Sequence, residues 1–269
     1  MQKRLVVVGM MGATLLWAAS ASAASISLSA TVRDFCGNGI AGCPAGFAGH
    51  ADFERTVADD PGIAGPLGTA LAGDGTPVYA FGAAPSPANT VSDATRFNQF
   101  YHAAAGVNQT TSTSLLFSDI GGGLFQYDNS AYFPIDGVLM GNQGNAHNYW
   151  FTTQLHTTFT YAAGQSFAFL GDDDVWVYID KKLALDLGGV HVAKAGSINL
   201  DTLGLTAGNT YDFDFFGAER HTNESNVKIT TSIVFNENTP VPEPASIFLL
   251  STGIATGLRY RWRQKKTKP

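Results

Sequence analysis

The feature that most constrains this chain is a run of three adjacent carboxylates placed inside a strand. Phe167-Ala168-Phe169-Leu170 leads into Gly171-Asp172-Asp173-Asp174, and Val175-Trp176-Val177-Tyr178-Ile179-Asp180 follows at once. Aromatic and β-branched residues on both sides predict extended backbone. Three neighbouring negative charges repel one another, and a half-buried carboxylate must be protonated, hydrogen-bonded or held by a cation. Ca²⁺ takes about six to eight oxygen ligands, so Asp172, Asp173 and Asp174 are candidate Ca²⁺ ligands. The alternative is a solvated loop joining two separate strands.

Alternation along a strand sets Asp172 and Asp174 on the face of Trp176 and Tyr178, and Asp173 on the face of Val175, Val177 and Ile179. For Asp172 and Asp173 to grip one ion together, the backbone between them must kink, by a bulge or by a rare non-proline cis peptide.

The two ends of the chain have a different composition from its body. Lys3 and Arg4 precede an apolar run from Leu5 to Ala18, and Ala21-Ser22-Ala23 supplies a cleavage site, which predicts a secretory signal peptide over residues 1–23. The chain carries 16 basic and 22 acidic residues, and between the two terminal segments the count is 8 against 21, net −13. Such a body repels phosphate backbones and suits cations, so nucleic acid is excluded as a partner. Its length of about 215 residues fits one domain with its own core. Cys36 and Cys43 are the only cysteines. In an exported chain they are expected to form a disulfide closing a Gly-rich loop, with free thiols as the alternative.

Along the body, Ile26 to Val32 alternates and predicts the first strand. Arg33 and Asp34 are expected to pair with each other or with the aspartate run. His50, Asp52 and Glu54 read as a solvated turn. Phe97, Phe100 and Tyr101 fall at helical spacing and predict a short helix over 95–101. Ser114 to Phe117, Leu124 to Tyr127 and Tyr132-Phe133 read as short strands with turn residues between them. The run from Asn148 to Tyr161 reads as a strand pairing with Ser166 to Leu170 as a hairpin, with Trp150 and His156 buried. Lys181-Lys182 makes a tight turn into Leu183-Ala184-Leu185. Tyr211, Phe213 and Phe215 are expected inside with Asp212 and Asp214 facing water. Many short strands separated by Gly, Asn and Asp argue for an all-β sandwich.

GDDDVWVYIDKKLALDLGGVH (171–191), GSINLDTLGLTAGNTYDFDFF (196–216) and AERHTNESN (218–226) together resemble the fibro-slime domain, part of the wider group of PA14-like modules. Shorter pieces match in order at 33–35, 50–54, 97–101 and 132–137. The resemblance implies an all-β fold, a PA14-like antiparallel β-sandwich with short helices and long loops, over residues 24–236. In carbohydrate-binding PA14-like modules, consecutive aspartates and an Asn-bearing loop jointly hold Ca²⁺, which binds sugar hydroxyls. Asp172 and Asp173 match that pair, and Asn223 and Asn226 correspond by loop position. Trp176, His191, Glu219 and His221 are the candidate ligand contacts, with His191 read either as a ligand contact or as a hydrogen-bonding core residue.

The end of the chain, residues 237–269, combines a polar linker, Pro242-Glu243-Pro244, an apolar run from Ala245 to Leu258 and a basic cluster to Lys266. It resembles a PEP-CTERM sorting signal, which implies processing by exosortase, transient membrane insertion and a Gram-negative source with exopolysaccharide systems. About 14 residues at 1.5 Å each span roughly 21 Å, short for a permanent anchor. The single-pass anchor is the alternative.

Together these features point to an exported, non-enzymatic Ca²⁺-binding module of the cell surface or matrix, with exopolysaccharide or a surface glycan as ligand. Two other readings stand beside it. One is a matrix protein with a purely structural Ca²⁺; the other is a glycoside hydrolase using Asp173, Glu219, His191 and His221. No nucleophile elbow, phosphate loop or zinc signature is present.

Overall fold

The computed structural model describes residues 25–54, 67–87 and 90–238. The expected signal peptide and sorting tail lie outside the described residues. Among the described residues, no helix is long and apolar enough to cross a membrane.

The chain is all-β, as its alternating apolar segments require. Twelve strands form one antiparallel sheet: β1 Ser25–Phe35, β2 Leu67–Leu71, β3 Pro77–Tyr79, β4 Asn108–Gly121, β5 Leu124–Asn129, β6 Phe151–Thr160, β7 Ser166–Gly171, β8 Asp174–Ile179, β9 Lys182–Leu187, β10 Lys194–Asn199, β11 Thr210–Glu219 and β12 Val227–Thr231. Their spatial order is β10-β7-β12-β5-β4-β1-β6-β11-β8-β9-β2-β3. The sheet curls on itself until β10 meets β9. There Gly196 lies so close to Leu185 and Leu187 that a Cβ would stand 2.7 Å from Leu185 Cδ1.

The curl encloses the main core. Ile26, Leu28, Ala30 and Val32 of β1 face Phe167 and Phe169 of β7, Val175 and Val177 of β8, and Phe213 and Phe215 of β11. Period-two alternation of apolar residues decides this inner face.

β8 is buried on both faces. Val175, Val177 and Ile179 enter the main core, while Trp176 and Tyr178 enter a second, aromatic cluster on the outer face. That cluster is roofed by the helix α1, Ala94–Tyr101, one residue longer than the spacing of its aromatics predicts. Asp93 caps the helix by accepting from Arg96 N at 2.9 Å, and Phe97, Phe100 and Tyr101 turn inward against Phe35, Phe53 and Trp176. Phe35 and Phe53 stack at 4.3 Å.

Several expectations are corrected. β6 and β7 do not form a hairpin: β6 pairs with β1 and β11, whereas β7 pairs with β10 and β12. The 161–165 connection instead carries the chain from one side of the curled sheet to the other. Tyr132 and Phe133 lie in an irregular segment, not a strand. His50 and Asp52 are buried, 5 % and 0 % exposed, so the 50–54 segment is not a solvated turn. Asp34 does not pair with Arg33, its neighbour on the opposite face; it accepts from Met140 N at 2.7 Å and Asn148 Nδ2 at 2.9 Å. Burial pushes its carboxyl up to about 7 against those hydrogen bonds. Cys36 and Cys43 form a disulfide.

Candidate functional site

At one end of the sheet the aspartate run is folded into the floor of a cleft. β7 ends at Gly171, where the backbone of Asn226 at the start of β12 comes so near that a Cβ would stand 2.0 Å from Asn226 O. Only glycine fits, which gives the Gly of Gly-Asp-Asp-Asp its physical reason. The Asp172–Asp173 peptide is cis, one of the two alternative kinks expected between these residues.

Each aspartate is then oriented by fixed donors. Asp172 Oδ1 accepts from Asn226 N at 2.6 Å, and its Oδ2 from Asn226 Nδ2 at 2.8 Å. Asp173 Oδ1 accepts from His191 N at 3.0 Å, and its Oδ2 from Arg220 N at 3.1 Å. A carboxylate offers about four lone-pair positions, so one donor per oxygen leaves acceptor capacity on both groups.

The Gly188-Gly189-Val190-His191 segment supplies part of this scaffold. It wraps its backbone amides round the run, with Gly189 N donating to Asp174 Oδ1 at 2.6 Å and His191 N to Asp173. Gly189 sits at φ 111°, outside the ordinary range of L side chains.

The cleft holds about 150 Å³, room for roughly five waters at ~30 Å³ each. Asp172, Asp173, Glu219, Asn223 and Glu224 border it, with His191, His221 and the apolar rim of Val190 and Val192. Glu219 is 3 % exposed, and its Oε2 has no hydrogen-bond partner. Burial first, then the charges of Asp173 and Asp172, push the Glu219 carboxyl well above the usual range. Burial likewise pushes Asp173 up to about 7, opposed by the Arg220 charge and reinforced by Asp174. Acidic groups are therefore crowded on a desolvated floor, where their ionised forms are disfavoured unless a cation compensates them.

Other candidates are placed elsewhere. Asp174 turns away from the cleft: its Oδ2 accepts from Arg220 Nε at 2.5 Å, with the guanidinium 0 % and the carboxylate 1 % exposed. Trp176 is fully buried and donates its indole N–H to Asp186 Oδ1 at 2.8 Å, so it does not line the cleft. His191 borders the cleft with its edge, but its two ring nitrogens face Val192 O at 2.9 Å and Leu187 O at 3.1 Å, which makes it a tie between loop and strand. His221 stands at the rim, 3.9 Å from Glu54 Oε1. Asn226 orients Asp172, and Asn223 lies on the loop above. Among the described residues, no three His, Cys, Asp or Glu side chains form a metal-ligating group.

Two contributors escape the sequence reading. Arg220 ties β11 to the loops above through Thr90 O, at 2.5 Å, while its backbone holds Asp173. Glu54 anchors the polar 221–224 loop by accepting from Thr222 N at 3.0 Å and Trp150 Nε1 at 3.0 Å. A lone Arg beside a polar loop reads as surface, and only its burial against Phe100 identifies it.

Residues 141–244 match the PA14 domain model. The segment contains β6 to β12 and all the residues bordering the cleft. Three Dictyostelium discoideum proteins are similar in sequence. Protein psiR is 42 % identical over 180 residues, 61 % of this chain and 18 % of that protein. Protein psiD is 37 % identical over 195 residues, 68 % and 39 %, and protein psiC 36 % over 222 residues, 78 % and 41 %. The chain thus spans between 18 % and 41 % of the length of these relatives. Among solved structures, the PA14 domain of the MpAFP antifreeze protein aligns over 84 % of this chain and 100 % of its own, at 12 % identity and TM-score 0.31. The PA14 sugar-binding domain from an RTX adhesin aligns over 34 % and 51 %, at 11 % identity and TM-score 0.27. At such scores no residue is carried across.

Proposed function

We propose that this chain is an exported, non-enzymatic surface or matrix module of the fibro-slime type, which holds a glycan through Ca²⁺ at the Asp172–Asp173 cleft. The observation that carries the reading is the floor itself: two carboxylates fixed by backbone and amide donors, beside a buried Glu219 whose Oε2 lacks a partner. Protein donors alone leave the ionised forms of these carboxyls undercompensated, and a hard cation would offset their charge. Asp172 and Asp173 would hold the ion, with Glu219 and the Asn223 loop completing its oxygen set. The ion would supply Lewis-acid coordination for sugar hydroxyls at an open side. The PA14 match over the cleft segment supports the same reading.

Calorimetric titration of Ca²⁺ into the protein, and into an Asp172→Asn/Asp173→Asn variant, tests the metal. The expected outcome is uptake by the parent and at least about a tenfold loss in the variant. No heat from the parent would sink the proposal. Glycan capture with and without EDTA then separates a sugar-binding ion from a purely structural one, the reading favoured if Ca²⁺ binds and glycan retention is indifferent to it.

A further inference from the structure

A second, larger recess lies on the outer face of the sheet and shares no residue with the aspartate cleft. Along β1, β6 and β11, the outward positions change character part-way. Near α1 they are Phe35, Phe216 and Ala218, roofed by the aromatic cluster. Beyond the end of the helix they become Thr31 and Arg33 on β1, Gln154 and His156 on β6, and Asp212 and Asp214 on β11. The residues around the C-terminal end of α1, the 73–76 turn and Lys181 wall this polar floor into a groove of about 760 Å³. That volume lies in the usual range for ligand pockets, about 300 to 1,000 Å³.

The floor is more than a solvated sheet face. Arg33 is 7 % exposed and Asp214 4 %, although the groove above them is open. Charges sunk into a floor cost desolvation that solubility alone does not require. They are also fixed in direction: Arg33 Nη1 donates to Gln154 Oε1 at 2.9 Å, and His156 Nδ1 lies 2.6 Å from Asp214 Oδ1. The imidazole ring, with its side chain 54 % exposed, is thereby held on a rigid strand at the groove surface. Glu219 of the cleft is five residues from Asp214, roughly 17 Å at ~3.4 Å per residue, and points to the opposite face.

We propose that this groove is a second, metal-independent binding site, and that its ligand is a short neutral oligosaccharide. Acceptors on Asp212 and on the fixed Asp214 stand beside donors on Arg33 and Gln154, so a ligand with adjacent hydroxyls, each both donor and acceptor, matches the floor. A polycation meets Arg33 and Lys181, a polyanion meets Asp74, Asp212 and Asp214, and an apolar ligand would strip water from these charged groups with nothing polar in return.

The test is binding of neutral gluco-, manno- and galacto-oligosaccharides to the full chain in EDTA, which disables any metal-dependent site. Binding that survives EDTA and weakens about tenfold or more in both Thr31→Trp, which fills the groove, and His156→Ala is the expected result. Thermal melting of each variant checks that it is folded; if Thr31→Trp does not fold, His156→Ala decides. Absence of any oligosaccharide binding in EDTA overturns the proposal. Retention of binding by the folded variants, or capture of oligolysine in place of sugar, overturns it equally.

Discussion

The aspartate cleft and the outer groove both draw a carboxylate from β11, Glu219 and Asp214, and hold their acids by different means. In the cleft, Asp172 and Asp173 are held by amides of Asn226, His191 and Arg220, donors that cannot titrate. In the groove, Asp214 and Asp74 face the imidazoles of His156 and His102 at 2.6 and 3.0 Å. The partners in the first region are fixed amide dipoles; in the second one of them, the His156 imidazole, is itself titratable and is held above its usual range by Asp214. The difference follows from cover. The cleft floor is sealed from below by Arg220 and the aromatic cluster, where only permanent partners balance a buried charge, while the groove stays open to solvent.

The largest expected effect breaks the sealed side of the comparison. Arg220→Met leaves Asp174 buried without its cation, and loss of one partner of such a pair costs about 3 to 5 kcal/mol. Urea unfolding measures it; a loss within about 1 kcal/mol would put Asp174 in contact with water.

A smaller effect comes from pH acting on an amide-held acid outside both sites. Asp34 has a folded-state pKa of about 7, raised from 3.8 by burial. The folded state therefore binds the proton more tightly, and this group's contribution to stability is fully present below about pH 4 and is lost as pH rises through about 7. Unfolding in EDTA across that window should show the decline, and Asp34→Asn should flatten part of it. A variant with the same slope as the parent would assign the decline elsewhere.

The smallest effect lies in the groove. His156 is held above its usual range by the hydrogen bond and charge of Asp214. The stabilisation is present below pH 6.5 and lost as pH rises through the folded value. Asp214→Asn should lower the His156 pKa in an NMR titration with little change in melting temperature, because the imidazole is half exposed. An unchanged pKa would mean that the pair does not form in solution.

Much of the fold was legible because period-two alternation survives in most strands: β1, β4, β5, β8 and β11 fall where apolar and β-branched runs place them. The pairing of β6 was not, since a five-residue link looks the same whether it turns a hairpin or crosses between layers. Asp214 is the most informative miss. Strict alternation correctly turned it away from the main core, yet it is buried on the outer face, where the groove walls and His156 shield it. Alternation reports which face a residue occupies, and says nothing of what covers that face.

The sequence by itself determined an all-β chain, the kink that a shared grip by Asp172 and Asp173 needs, and the acid-rich body. Those properties are local, fixed by backbone sterics and by charge spacing within a few residues. Only the tertiary structure decided that Asp174 belongs to Arg220, that Trp176 serves the core, that Glu219 shares a floor with Asp173, and that a groove opens where the α1 roof ends. Each of these depends on segments far apart in sequence meeting with water excluded, and desolvation is a property of the assembled surface that no run of residues carries alone.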